Sequence, residues 1–411
     1  MVKVSRAKAA ELREEIFDAT SAELRRVGYD AMALTAVGAR CGLATSAIYN
    51  RFPGKDELVA ALIGERLEPV LGRALDTELA STWHERSMIG LVDGDQQCVL
   101  YELQLAARRV AELRADVVAF VDRRLKSALA ARRDAELEGR VRTGQDPRAQ
   151  VLLQAAADTG SYLLSLASDA PTGGMASVDQ VVRIALTRVP WSTPVASGRA
   201  ARRRPDPGPA VVGPAGLDDL GQALVRSAAE VFAEQGYDVA TVAEISRRAG
   251  MTTGAIYNRF SGKAGLLAEV VDQVTGPHAT EPLALVTSAL TSGSAPAAGR
   301  TIASLLGGAQ EVELARDTSL RLEARHASRL EPEVAEIVGP VQDHVVATLA
   351  DNVRRAQSSG ALRPDVDAEA LAWWFTSLPL GVAIVEDALD APVDWAPTLG
   401  AVVRALRTQP A

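Results

Sequence analysis

The chain has 411 residues, 47% of them apolar, and a formal net charge of −8, enough for two to four domains with ordinary globular cores. The acidic balance excludes nucleic-acid binding through one large basic face, leaving local clusters such as Lys3, Arg6, Lys8 and Arg13 for that role. The two cysteines, Cys41 and Cys98, suit a reducing compartment, charged residues follow Met1-Val2-Lys3 where a secretory signal would be apolar, and Leu371 to Val385 is too short and Pro-interrupted to span a bilayer; the expectation is a cytoplasmic protein with no membrane contact.

Residues 1–56 read as three helices. Leu12, Ile16, Ala19 and Leu24 recur at helical spacing up to Gly28, a second helix runs from Leu34 to Cys41, and a third from Thr45 to Phe52. Two short helices joined by a Gly-containing turn are the helix-turn-helix pattern, whose second helix enters the major groove. A helical regulatory segment, 57–189, follows. Leu58, Leu62, Leu67, Leu71 and Leu75 make its long first helix, Ser81 to Gln97 is polar and reads as a loop, and helices are expected over 98–115, 116–141, 150–167 and 178–189. Residues 190–216 are rich in Pro, Gly, Ser and Arg, with Arg202-Arg203-Arg204 inside, and read as a linker.

Residues 217–264 repeat the opening plan. Leu220, Leu224, Ala228, Val231 and Phe232 line a helix ending at Gly236. Thr241 is placed to accept from the free NH groups of a short helix with Val242 and Ile245 inward, stopped at Gly250. Thr252-Thr253 opens a third helix with cap-forming hydroxyls. A second regulatory segment, 265–411, starts with a helix over 264–274, is interrupted at Gly276-Pro277, and is expected to be flexible from Thr291 to Ala298.

The repetition is residue by residue. Ala-Ile-Tyr-Asn-Arg-Phe-x-Gly-Lys occurs as Ala47 to Lys55 and as Ala255 to Lys263. At the same offset Gly28-Tyr29-Asp30 falls on Gly236-Tyr237-Asp238, Arg40 on Arg248, Gly42 on Gly250 and Thr45 on Thr253. The period is far longer than the roughly 20 to 50 residues of a solenoid unit. It marks a duplicated domain pair. At a slightly larger offset Leu103, Leu105, Ala107, Arg108, Leu113 and Val117 match Leu320, Leu322, Ala324, Arg325, Leu330 and Val334, so the regulatory halves are duplicated as well.

Gly-Tyr-Asp-x-x-Thr-Val-x-x-Ile-x-x-x-Ala-Gly-x-x-x-Gly-x-Ile-Tyr-x-x-Phe-x-x-Lys, spelled out by Gly236 to Lys263, resembles the DNA-binding domain of the TetR/AcrR family of transcriptional regulators. Gly360-Ala361-Leu362-Arg363-Pro364-Asp365 is similar to the way regulatory domains of that family enter their last helix pair. The resemblance implies an all-α protein of two tandem units that dimerises through its last two helices and changes its affinity for DNA when a small molecule fills a pocket. It implies phosphate contacts for Tyr49 and Tyr257 and for Arg51 and Arg259. Lys55 and Lys263 follow a Gly at a helix start, where an ammonium and free NH groups suit phosphate. Base edges would be met by Thr45, Ser46 and Asn50 and by Thr252, Thr253 and Asn258, because Asn pairs with adenine and Thr packs on a thymine methyl. The family's cap residue is Thr241 in the second copy and Ala33 in the first, and loss of such a cap costs about 1 kcal/mol.

No metal or cofactor site is expected, since His84, His278, His326 and His344 are scattered and the cysteines lie far apart. No phosphate loop or nucleophile motif points to an enzyme. Trp373, Trp374 and Phe375 with Arg325 and His326 are candidates to line a ligand cavity in the second half, and Tyr101, Arg108 and Tyr162 in the first; aromatics on a late helix more often belong to a core or dimer interface. The expected partners are a double-stranded DNA operator and a small-molecule effector. A sensor or scaffold in which one or both heads no longer bind DNA is the alternative.

Matching surfaces kept in one chain predict an internal pseudo-dimer, Gln150 to Val189 against Ala368 to Leu406, with a homodimer of tandem chains as the competing assembly. A linker of about 25 residues reaches roughly 75 Å at about 3.1 Å each. That is long enough to return from one unit to the start of the next.

Overall fold

The structure, a computed structural model, describes residues 6–69, 94–138, 147–171, 217–275, 280–306, 312–389 and 393–408, together with 177, 178, 181, 182 and 185. The expected linker, the Gly276-Pro277 break and most of the 81–97 loop lie outside these residues. The described residues form an all-α protein, with one isolated antiparallel bridge, Leu362 to Arg407. The chain divides into two compact units, Met1–Ala135 with Asp387–Asp390, and Glu136–Glu386 with Ala391–Ala411.

In unit 1, α1 (Arg6–Ala31), α2 (Leu34–Arg40), α3 (Thr45–Tyr49) and α4 (Lys55–Leu62), the last continuing through a π turn over Ile63–Leu67, make the first head. Then come α5 (Gly94–Ala106) and α6 (Ala111–Leu137). Gly28 breaks α1 with φ 75°, the left-handed conformation for which the periodicity demanded a glycine there. One core holds the head to the helices that follow: Ile16, Phe17, Leu24, Ile48, Phe52 and Leu58 cluster with Leu103, Leu113, Val117 and Phe120. Two boundaries differ from the sequence reading. Gly94 to Gln97 are already helical, and the break between the next two helices falls at 107–110 instead of 115–116.

Unit 2 contains α7 (Pro147–Ser165) and the second copy: α8 (Asp219–Gln235), α9 (Val242–Arg248), α10 (Thr253–Tyr257), α11 (Lys263–Thr275), α12 (Thr280–Thr291), α13 (Ala295–Ser304), α14 (Val312–Leu330), α15 (Pro332–Ser358), α16 (Ala368–Asp387) and α17 (Ala396–Leu406). Its head core joins Leu224, Val231, Phe232, Ile245 and Ile256 to Leu320, Ala324 and Val334, so the repeat positions Leu103/Leu320 and Val117/Val334 do the same work in both halves. The Thr291–Ala298 stretch is not irregular throughout. The Ser294 hydroxyl accepts from Ala297 NH and starts α13 at Ala295, a cap the apolar pattern did not reveal. Leu220, expected inward, is 47% exposed, because it sits in the first turn of α8, ahead of the buried stripe.

The first half packs on the second half through α7 and α16. A Cβ added to Gly160 would lie 2.1 Å from Ser377 O, and one added to Gly381 only 1.7 Å from Ala156 O. Backbone therefore meets backbone, an approach only glycine permits. Trp373 Nε1 donates to Ser161 Oγ at 2.8 Å across this seam, Gln342 Nε2 donates to Leu164 O at 3.1 Å, and Asp367 NH donates to Ser177 Oγ at 3.1 Å. Of the segment expected to pair the halves, α16 is the part that meets α7. In contrast to the expectation for Ala368 to Leu406 as a whole, α17 packs on α13 of its own half, where Gly299 and Gly400 leave no room for a Cβ.

By length and composition α16 could cross a membrane, which corrects the reading of Leu371 to Val385 as too short; 83% of its apolar window is buried inside the protein. It is a core helix.

Candidate nucleic-acid interface

The two heads are built alike from the turn outward. Gly42 and Gly250 adopt φ of 63° and 70°, turning the chain from the first short helix into the second. Leu43 NH then bonds to Gly38 O, and Met251 NH to Ser246 O, both at 2.8 Å. Each turn delivers a five-residue helix, α3 or α10, too short to be stable alone. A single fully buried side chain on each, Ile48 or Ile256, fixes it to the head.

Burying that isoleucine decides what the other positions do. Thr45, Ser46, Asn50 and Arg51 are exposed around Ile48, and Thr252, Thr253, Asn258 and Arg259 around Ile256. Tyr49 and Tyr257 are 48% and 64% exposed, which sets aside packing in the three-helix core. Every base-contact and phosphate-contact candidate on the two short helices therefore shares one solvent-facing surface within its own head.

The lysines stand elsewhere. Lys55 Nζ donates to Tyr29 O at 2.9 Å and lies 4.2 Å from the centre of the Tyr29 ring; Lys263 Nζ donates to Tyr237 O at 3.0 Å and lies 4.1 Å from the Tyr237 ring. Burial pulls the Lys55 ammonium below its ordinary range, against the opposing pull of Asp30 and Asp56. Both ammoniums brace the turn after the first helix of the head. Burial is also the main cause raising the phenols of Tyr29 and Tyr237, which donate to Asp56 and Glu331.

The caps differ as the sequence suggested, with one exception. Thr241 Oγ1 accepts from Glu244 NH at 3.1 Å, while Ala33 in the same extended conformation offers nothing. Thr252, expected to cap α10, sits at the N-cap with no side-chain bond, leaving its hydroxyl to solvent. Thr241→Ala is expected to cost about 1 kcal/mol, seen as faster amide exchange across Val242–Arg248, and Ala33→Thr to slow exchange across Leu34–Arg40. Unchanged exchange in both variants would mean the cap does not set the order of these helices.

Each head is tied to its regulatory helices by a side-chain contact of its Asp that sequence reasoning missed. Asp30 accepts from Arg109 Nη2 at 2.7 Å, and Asp238 Oδ2 lies 2.6 Å from His326 Nε2. These are the same repeat positions. The recurring Gly-Tyr-Asp was the only available signal, since the partners lie 79 and 88 residues away.

The ligand-cavity candidates do not converge. His326 turns to the second head, Trp373 to Ser161 on α7, and Trp374 packs edge-on against Phe375 with ring centres 5.0 Å apart. Arg325 is buried on α14. Tyr101 is buried on α5, Arg108 is ion-paired with Asp387, and Tyr162 is half-buried on α7. A cavity of about 340 Å³ in unit 1 is lined by Asp18, Ser21, Arg25, Arg66, Leu67, Asp95, Gln96 and Val99, and none of the candidates is among them. Among the described residues no group of His, Cys, Asp and Glu could hold a metal ion.

A family model for bacterial regulatory proteins of the tetR family matches residues 16–62 and again 224–270. The chain is similar to the A-factor receptor protein of Streptomyces griseus, 29% identical over 176 residues, which cover 42% of this chain and 57% of that one. It is also similar to the HTH-type transcriptional regulator SrpR of Pseudomonas putida, 41% identical over 54 residues, or 13% of this chain and 25% of that one. The chain thus spans less than two thirds of either relative. A crystal structure of a TetR-family transcriptional regulator from Pectobacterium atrosepticum superposes with a TM-score of 0.33 at 23% identity, over 46% of this chain and 95% of the other.

Proposed function

We propose, from the premise that the chain belongs to the TetR family of bacterial regulatory proteins as two units in tandem, that it is a sequence-specific DNA-binding transcriptional regulator. One observation carries this reading: two five-residue helices, each pinned by a buried isoleucine, turn Thr, Tyr, Asn and Arg to solvent at matching positions. A helix face of that chemistry suits base edges and phosphates together.

The finer reading is a cytoplasmic, ligand-responsive repressor that binds an imperfect palindrome with both heads of one chain. The heads share Ala-Ile-Tyr-Asn-Arg-Phe and differ at Ala44-Thr45-Ser46 against Thr252-Thr253-Gly254, so the half-sites should be similar without being identical. The α7–α16 seam supports pairing inside one chain. The relative's designation as a receptor supports a small-molecule effector. Within this reading Lys55 and Lys263 hold the turn that positions the reading helix, and Tyr49, Tyr257, Arg51 and Arg259 meet phosphate.

Site selection from a randomised duplex pool with the purified full-length chain is expected to return an imperfect inverted repeat. Tyr49→Phe combined with Tyr257→Phe should then weaken binding to all sequences alike, because phosphate contacts position a protein without reading bases. Selected sites without inverted symmetry would overturn the paired-head reading. Failure to select any sequence would overturn DNA recognition itself.

A further inference from the structure

We infer that the two heads are unequal DNA binders, because Asp218 competes with a DNA phosphate for the Arg259 guanidinium; this rests on the DNA-binding reading above. Arg51 and Arg259 occupy the same repeat position, two residues beyond the exposed tyrosine. In the second head the guanidinium is occupied: Nε donates to Asp218 Oδ1 at 3.2 Å and Nη2 to Oδ2 at 2.7 Å. That is a bidentate pair, the geometry in which a guanidinium would also grip a phosphate.

Among the described residues the first head shows no such competitor. The position of Asp218 is held there by Ala10, and among the described residues Arg51 donates only to Ala47 O of its own helix, at 2.7 Å. The remaining arginines of the second head's short helices are engaged as well. Arg247 pairs with Glu244 and Arg248 with Glu234, at 2.7 and 2.6 Å, and the repeat counterpart of Arg247 is Ala39. Lys3, Arg6 and Lys8, with no acid among the first nine residues, add positive charge directly ahead of the first head, while the Arg202-Arg203-Arg204 run ahead of the second is set off from it by the rest of the linker.

Asp218 also caps α8, accepting from Gly221 NH at 2.8 Å. The Arg259 guanidinium, and after it that NH, holds the carboxyl below its usual range. A cap needs only a side-chain oxygen, whereas the competition needs the charge. Asparagine separates the two, since it caps as well as aspartate. The Asp218 side chain is 54% exposed, so this is a surface ion pair of modest strength that holds Arg259 back from phosphate in the wild type. The first head then anchors the complex. The second adds less to affinity and to its salt dependence.

The test uses the full-length chain and the duplex selected by the wild type, titrated over a series of salt concentrations. Asp218→Asn should tighten binding roughly two- to fivefold, the worth of an exposed ion pair. It should also steepen the slope of log K against log salt by about 0.9, the signature of one additional phosphate contact. The reciprocal Ala10→Asp, which transplants the carboxylate to the first head, should weaken binding and flatten the slope by similar amounts. It also serves as an independent arm if the first variant folds poorly. Wild-type binding with unchanged affinity and slope in both variants overturns the competition and leaves DNA recognition standing. No binding by the wild type to any selected duplex removes both.

Discussion

Gly381→Val is expected to lower the melting temperature of the full-length chain by roughly 2 to 12 °C. The added Cβ would sit 1.7 Å from Ala156 O and 2.8 Å from Gly160 N, and these are backbone atoms, which cannot rotate away as a side chain can. Overpacking of this kind costs about 1 to 3 kcal/mol or more, and each kcal/mol moves the midpoint of a domain of this size by about 2 to 4 °C. Gly64→Ala is the control, because a Cβ there meets nothing within 4 Å. Calorimetry showing Gly381→Val within a degree of wild type would mean that α7 and α16 do not approach as described.

The second large effect lies in the heads. Ile256→Ala should remove about 2 to 5 kcal/mol from the local stability of the second head, since Ile256 is the one fully buried residue of a five-residue helix. Amide protection across Thr253–Tyr257 should collapse, and with it protection of one half of the selected DNA site, while α16 keeps its exchange pattern. Ile48→Ala should do the same in the first head, on a background already lacking a side-chain cap at Ala33. Retained protection in α10 would show that something other than this isoleucine holds the reading helix.

The heads were legible in the sequence because what builds them is local. Gly28, Gly42, Gly236 and Gly250 mark turns that take positive φ, Thr241 caps by accepting from the Glu244 NH three residues on, and Ile48 and Ile256 fall at helical spacing behind the residues they expose. The duplication added a second, independent reading of each position. Contacts between distant residues were not legible. Nothing in the periodicity of α14 says that His326 faces Asp238, or that the Trp373 indole ends on Ser161, 212 residues away. The aromatic run fitted a packed core or interface better than a cavity wall without deciding between them. Lysines after Gly54 and Gly262 suggested phosphate by their place at a helix start, yet the nearer carbonyls of Tyr29 and Tyr237 take the ammoniums first.

The seam between α7 and α16 is symmetric in its own residues. Gly160 approaches Ser377 O and Gly381 approaches Ala156 O, and one constant spacing carries residue 160 to 381 and residue 156 to 377. Each close approach is therefore the mirror image of the other, a glycine set against bare backbone on both sides, in the way a self-complementary interface makes every contact twice.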